Sequence, residues 1–131
     1  MTYKILIVDD SKLARMFIEK ALKALQPDWI RIEAASADEA TVLMAREQPD
    51  VALLDLNMPG RDGLELAAEF SSRHPEMPMA IVSANVQEEI IARTRGMGAA
   101  FLPKPLTERV LAEFLSASKL RLKGLPQGSA R

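Results

Sequence analysis

The run VALLDL, residues 51–56, does not alternate between apolar and polar side chains. A strand wetted on one face alternates with period two, whereas a strand covered on both faces reads as an unbroken apolar run. Such a strand requires covering layers on either side, and the rest of the chain supplies them. Short β-rich runs at 4–8 (KILIV), 29–34, 50–54, 79–83 (MAIVS) and 99–102 alternate with segments of helical period at 11–24, 38–47, 63–73, 87–96 and 107–117. This alternation predicts an α/β fold: a doubly wound, five-stranded parallel sheet with right-handed crossovers and helices on both faces. In the first helix, Leu13, Phe17, Ala21, Leu22 and Leu25 form the expected inward stripe, with Asp10 or Ser11 as N-cap. Met44, Met77, Met79 and Met97 read as core filler, and His74 as a helix end.

With 131 residues, one core is expected, over residues 1–118, with 119–131 as a flexible tail or the stub of a linker. Lys plus Arg (17) nearly balances Asp plus Glu (18), so neither nucleic acid nor a membrane surface is the expected partner. Without cysteine there are no disulfides and no thiolate metal sites, in keeping with a cytoplasmic protein. No secretory leader pattern opens the sequence, and no apolar run approaches the roughly 20 residues that span a bilayer.

In an open parallel sheet the functional edge lies beyond the carboxyl ends of the strands. The first strand delivers Asp9 and Asp10 there, the third Asp55, the fourth Ser83 and the fifth Lys104 followed by Pro105. Two carboxylates about 4 Å apart repel by roughly 4 kcal/mol at an effective dielectric near 20. Protonation, Lys104 or a divalent cation must relieve that repulsion. An all-oxygen set with few carboxylates on short loops suits Mg²⁺ better than a calcium cage.

VDDSKLAR, LLDLNMPGRDG, IVSA and FLPKP, in this order and at these separations, resemble the receiver domain of bacterial response regulators, the CheY-like family. The resemblance covers residues 4–115. It implies a (βα)₅, flavodoxin-like sheet of order 2-1-3-4-5. It also implies a phosphoacceptor role for Asp55, which takes a phosphoryl group from a histidine kinase or phosphotransfer protein. Asp10, Asp55 and the backbone carbonyl of Asn57 match the ligands of Mg²⁺, with Asp9 acting through water. Ser83, Lys104 and the Ala84 backbone match the groups that hold the phosphoryl oxygens. Ser83 and Phe101 match the switch that reshapes the face of helix four, strand five and helix five for a downstream protein. A cis Lys104–Pro105 bond is implied as well. Pro59, Gly60 and Gly63 shape the turn after Asp55, with Asp62 as helix cap. Asn57 and Asn85 stand where side chains face the water that hydrolyses the acyl phosphate, and neither carries charge.

Helix-one residues such as Lys12, Arg15 and Met16 are expected to be read by the cognate kinase. The domain is expected to be a monomer or weak homodimer, and no enzyme beyond its own phosphorylation and dephosphorylation. Three other classes are weaker. A Mg²⁺-dependent phosphohydrolase usually carries its nucleophile after the first strand and needs a substrate-holding cap. A flavin carrier needs a Gly/Ser/Thr phosphate cradle where DDSKLAR puts two acids. The third, a degenerate receiver used only as a docking module, is opposed by the intact acceptor set; a receiver fragment of a larger multidomain regulator, which shares the chemistry, stays open as an alternative.

Overall fold

A computed structural model describes residues 2–124. The elements alternate as β1 (Lys4–Val8), α1 (Lys12–Leu25), β2 (Ile30–Ala34), α2 (Ala37–Glu47), β3 (Val51–Asp55), α3 (Gly63–Arg73), β4 (Met79–Ser83), α4 (Glu88–Gly96), β5 (Ala100–Pro103) and α5 (Glu108–Leu122). All strand pairings are parallel, in the order β2-β1-β3-β4-β5. The expected fold and strand order are therefore those observed.

Strand periodicity divides the core in two. Leu6, Val8, Ala52, Leu54 and Ile81 face α2 and α3. Ile5, Ile7, Val51, Leu53, Val82 and Leu102 face α1 and α5. Every residue of β3 is buried, as its unbroken apolar run requires. Met44, Met77 and Met79 are buried, and Met97 packs against the core edge.

Local signals account for the helix ends. Ser11 caps α1 by accepting from Ala14 N, and Ser36 caps α2 by accepting from Glu39 N. Asp62 and Glu65 form a reciprocal capping box on α3. His74 is the C-cap of α3. Asp50 precedes β3, and its Oδ2 accepts from Lys4 N at 2.8 Å, tying the start of β1 to that of β3.

Two expectations fail. The inward stripe of α1 is Ile18, Ala21 and Leu22, with Leu25 partly buried, whereas Leu13 is 78% and Phe17 47% exposed. At about 100° per residue, positions 13 and 17 sit roughly 90–130° from the centre of the stripe that meets the sheet. A helical period reveals that a helix has an apolar face, but several adjacent faces of α1 qualify. Second, α5, expected to close at about Ala117, continues through Leu122. Leu115 and Ser118 are buried, and Leu122 packs against the second core. The remainder of the expected tail, 125–131, lies outside the described residues.

Candidate functional site

Register builds the site. Val8 pairs with Leu54 and Asp55 with Val82, while Val82 pairs with Leu102. One step beyond β1, therefore, Asp9 reaches the level of Asp55, and Lys104 N continues the ladder by donating to Ser83 O at 2.9 Å. Asp9, Asp55 and Lys104 each stand two residues after an apolar side chain of the α1/α5 face, namely Ile7, Leu53 and Leu102. Their shared parity sends all three to the same side of the sheet edge.

The carboxylates of Asp9, Asp10 and Asp55 converge, with one oxygen of each lying within 4.8 Å of the others. Asp9 and Asp55 are buried and Asp10 is exposed. Asp9 is held on three sides: its N donates to Ala34 O (3.1 Å), its Oδ1 accepts from Ser11 N (2.8 Å), and its carbonyl accepts from Arg15 Nη1 (2.6 Å).

Asp55 is tethered only by charge. Lys104 Nζ lies 2.9 Å from its Oδ1, but that buried oxygen has no hydrogen-bond partner of good geometry. Burial pushes the Asp55 carboxyl above the ordinary carboxylate range. The Lys104 contact opposes this, and the charges of Asp9 and Asp10 add to the rise. At Lys104, burial works to lower the pKa, but contact with Asp55 and the three negative charges outweigh it, so the net direction is up.

Three acids against one lysine leave an excess of negative charge around a buried oxygen that lacks a directed donor. A hard divalent cation fits this donor set: oxygen ligands, an exposed approach at Asp10, and uncompensated charge. Among the described residues, Asp9, Asp10 and Asp55 form the one such cluster of potential metal ligands. Asn57 is exposed in the loop leaving β3.

Local geometry explains the loop. Gly60 has φ +80°, in the left-handed region. Gly63, expected only as a helix start, packs directly on the acid-bearing strand end. A Cβ there would fall on the Asp55 carbonyl oxygen and lie 2.9 Å from its carbon. Gly63 N donates to Leu56 O at 2.9 Å, closing the loop.

The remaining expected residues border the cluster. Ser83 is fully buried at the end of β4, its hydroxyl accepting from Asn85 N at 2.9 Å rather than touching the carboxylates. Ala84 is exposed and lines a groove of about 560 Å³ together with Asp9, Phe17, Lys104, Pro105 and Leu106. The Lys104–Pro105 bond is cis. Phe101 pairs with Ile81, two residues before Ser83, so the aromatic ring and the hydroxyl belong to the same sheet face. Phe101 is half-buried on the edge strand β5, and that strand and α5 border a cavity of about 490 Å³.

Arg15 departs from expectation. Its side chain, expected on the partner-facing surface, is only 15% exposed and folds back onto the Asp9 carbonyl and Glu33. A hint existed in the sequence: a long cationic side chain in the first turns of a helix can reach the strand end before it.

Comparison with known proteins agrees with this geometry. The family model for the response regulator receiver domain matches residues 5–116. The chain is 36% identical to protein-glutamate methylesterase/protein-glutamine glutaminase 4 of Geobacter metallireducens, over 89% of this chain and 36% of the relative. It is 31% identical to the transcriptional regulatory protein PdtaR of Mycobacterium tuberculosis, over 90% of this chain and 58% of the relative. The chain thus spans about a third to somewhat over half the length of these relatives. A CheY-like receiver domain protein from Methanospirillum hungatei superposes with a TM-score of 0.85 at 25% identity, covering 95% of this chain and 99% of that one. Chemotaxis protein CheY4 of Vibrio cholerae gives 0.79, also at 25% identity, covering 88% and 98%. Since the family model runs from β1 into α5 and takes in every strand end that builds the acidic edge, the chain belongs to the response regulator receiver domains.

Proposed function

We propose that Asp55 is the residue through which this receiver domain accepts a phosphoryl group in two-component signalling, with Mg²⁺ at the acidic edge. The observation that carries the reading is the placement of one buried, strand-mounted carboxylate against two further acids and a single lysine. A rigid strand end fixes the direction of attack, and phosphoryl transfer asks chiefly for positioning and cation placement.

An Asp55 oxygen bonds to phosphorus while the bond from phosphorus to the donor's imidazole nitrogen breaks. The freed imidazole keeps that electron pair and takes a proton from solvent. Asp10 and Asp55, with the Asn57 carbonyl, would hold the ion, and Asp9 would act through water. When bound, the ion supplies positive charge against the negative charge on the phosphoryl oxygens. Lys104 leaves Asp55 Oδ1 to pair with a phosphoryl oxygen, and the Ala84 backbone and Ser83 hydroxyl bind the others. For that, Ser83 gives up its contact with Asn85, opening space on the face it shares with Phe101. Rotation of Phe101 into it would reshape the face of α4, β5 and α5 for a downstream protein. Water attacking phosphorus returns the free carboxylate, so the domain's chemistry is confined to its own phosphorylation and dephosphorylation.

Receiver domains work with histidine kinases and downstream effectors. For this chain the donor's docking face is α1, where Leu13, Met16 and Phe17 stand exposed beside the groove that Asp9 and Lys104 line. A kinase or phosphotransfer protein there implies residence in the cytoplasm. No helix among the described residues is long and apolar enough to cross a membrane. A second reading, a receiver segment of a larger regulator, is favoured by the greater length of the relatives.

Incubation with acetyl phosphate, with and without Mg²⁺, followed by intact mass tests the proposal. One phosphoryl group should appear only with the ion and vanish in Asp55→Ala. Labelling that survives in that variant overturns the assignment.

A further inference from the structure

We propose that Arg15 is a positioning residue for the acidic edge, bracing the end of β1 so that Asp9 and Asp10 stand ready for a divalent cation. The inference rests on the metal reading of that edge. Arg15 rises from the first turns of α1, and its guanidinium spans two partners: Nη1 donates to the Asp9 carbonyl at 2.6 Å, and Nε to Glu33 Oε1 at 2.9 Å. It therefore links α1, the end of β1 and β2, the three segments around the Asp9–Asp10 turn.

The end of β1 has few other ties. Asp9 lies just past the last paired residue of β1, and it is followed by a carboxylate that its neighbours repel. Backbone contacts satisfy Asp9 N and its Oδ1, while the carbonyl between the two acids depends on Arg15. A charge-assisted bond to that carbonyl fixes the peptide plane from which Asp10 departs. Glu33 pairs with the guanidinium, so the charge that reaches the edge is small and the contribution is one of geometry. Outer contacts of this kind orient ligands and tune metal affinity.

Calorimetric titration of the full chain with Mg²⁺ alone tests this, using wild type, Arg15→Met and Arg15→Lys. Arg15→Met should weaken Mg²⁺ binding by about tenfold. Half-maximal acetyl phosphate labelling should need correspondingly more Mg²⁺. Arg15→Lys, which keeps a donor and a charge, should recover most of both. Should Arg15→Met fail to fold by circular dichroism, Arg15→Gln, a good helix former too short for the span, replaces it. Mg²⁺ affinity equal to wild type in the folded variant overturns the proposal, even if its melting point falls. So does a defect seen only with a phosphohistidine protein as donor, because Arg15 would then be reading a partner. Absence of Mg²⁺ binding in the wild type overturns the metal reading itself, and this proposal with it.

Discussion

Lys104 Nζ stands 2.9 Å from Asp55 Oδ1 in an unequal pair: the carboxylate is 4% exposed and the ammonium side chain 36%. Asp55 bears the larger share of the burial, while Lys104 stays partly exposed. A phosphoryl group on Asp55, as proposed, could therefore take over Lys104 as its partner.

The first prediction concerns pH. With its folded-state pKa raised, Asp55 binds its proton more tightly in the native chain than in the unfolded one, where the ordinary value is 3.8. Stability without divalent cations therefore falls as pH rises from about 3.8 through the raised folded value, and the full penalty persists above it. Asp55→Asn should raise the melting point in EDTA at pH 7, by about 2–4 °C for each kcal/mol relieved. The gain should disappear near pH 3, where both forms are neutral. Melting curves of the two proteins at both pH values check this.

Magnesium should act on the same imbalance. Millimolar Mg²⁺ should raise the wild-type melting point, since a ligand that binds only the native state stabilises it by mass action. Asp10→Asn should shrink that rise, because Asp10 is the exposed member of the acidic cluster. A melting point in the parent protein that ignores Mg²⁺ removes the support for a cation at this edge.

Gly63→Ala should be costly out of proportion to one methyl group. The new Cβ would land on the Asp55 carbonyl, a backbone group that cannot step aside without moving the acid-bearing strand end. Overpacking of this kind costs about 1–3 kcal/mol. Urea denaturation should show that loss, and acetyl phosphate labelling should slow as well. Gly60→Ala is the contrast: a Cβ there meets nothing, but φ is +80°, so its cost is backbone strain alone.

If the phosphodonor docks on α1 as proposed, substitutions of its exposed apolar side chains should separate docking from chemistry. Leu13→Asp and Met16→Asp should leave the free energy of unfolding within about 0.5 kcal/mol of wild type, as exposed positions do. Labelling by acetyl phosphate should be unchanged, and transfer from a phosphohistidine protein should fall at least severalfold. Stopped-flow transfer assays with both donors decide it.

The sheet and its order were legible because burial on both faces writes an unbroken apolar run, and β3 shows one. The acidic edge was legible because parallel strands deliver their last residues to a single rim, so Asp9, Asp55 and Lys104 met by topology alone. Side-chain direction on α1 was less legible. Leu13 and Phe17 keep helical spacing with Ala21, but the stripe centred on Ile18 and Leu22 won the sheet. The end of α5 was likewise hidden, because Ser118 reads as polar until its hydroxyl is seen donating to Phe114 O.

The sequence by itself determined which elements form, how they alternate, and which charges arrive at the carboxyl edge, since these depend on local period and connectivity. The tertiary structure decided the rest: that Gly63 lies against Asp55, that Arg15 turns inward to Asp9, and that Leu13 and Phe17 remain in water. Each of those depends on how a helix is rotated and seated on the sheet. That choice is made by the summed packing of many side chains, a property no short window of sequence contains.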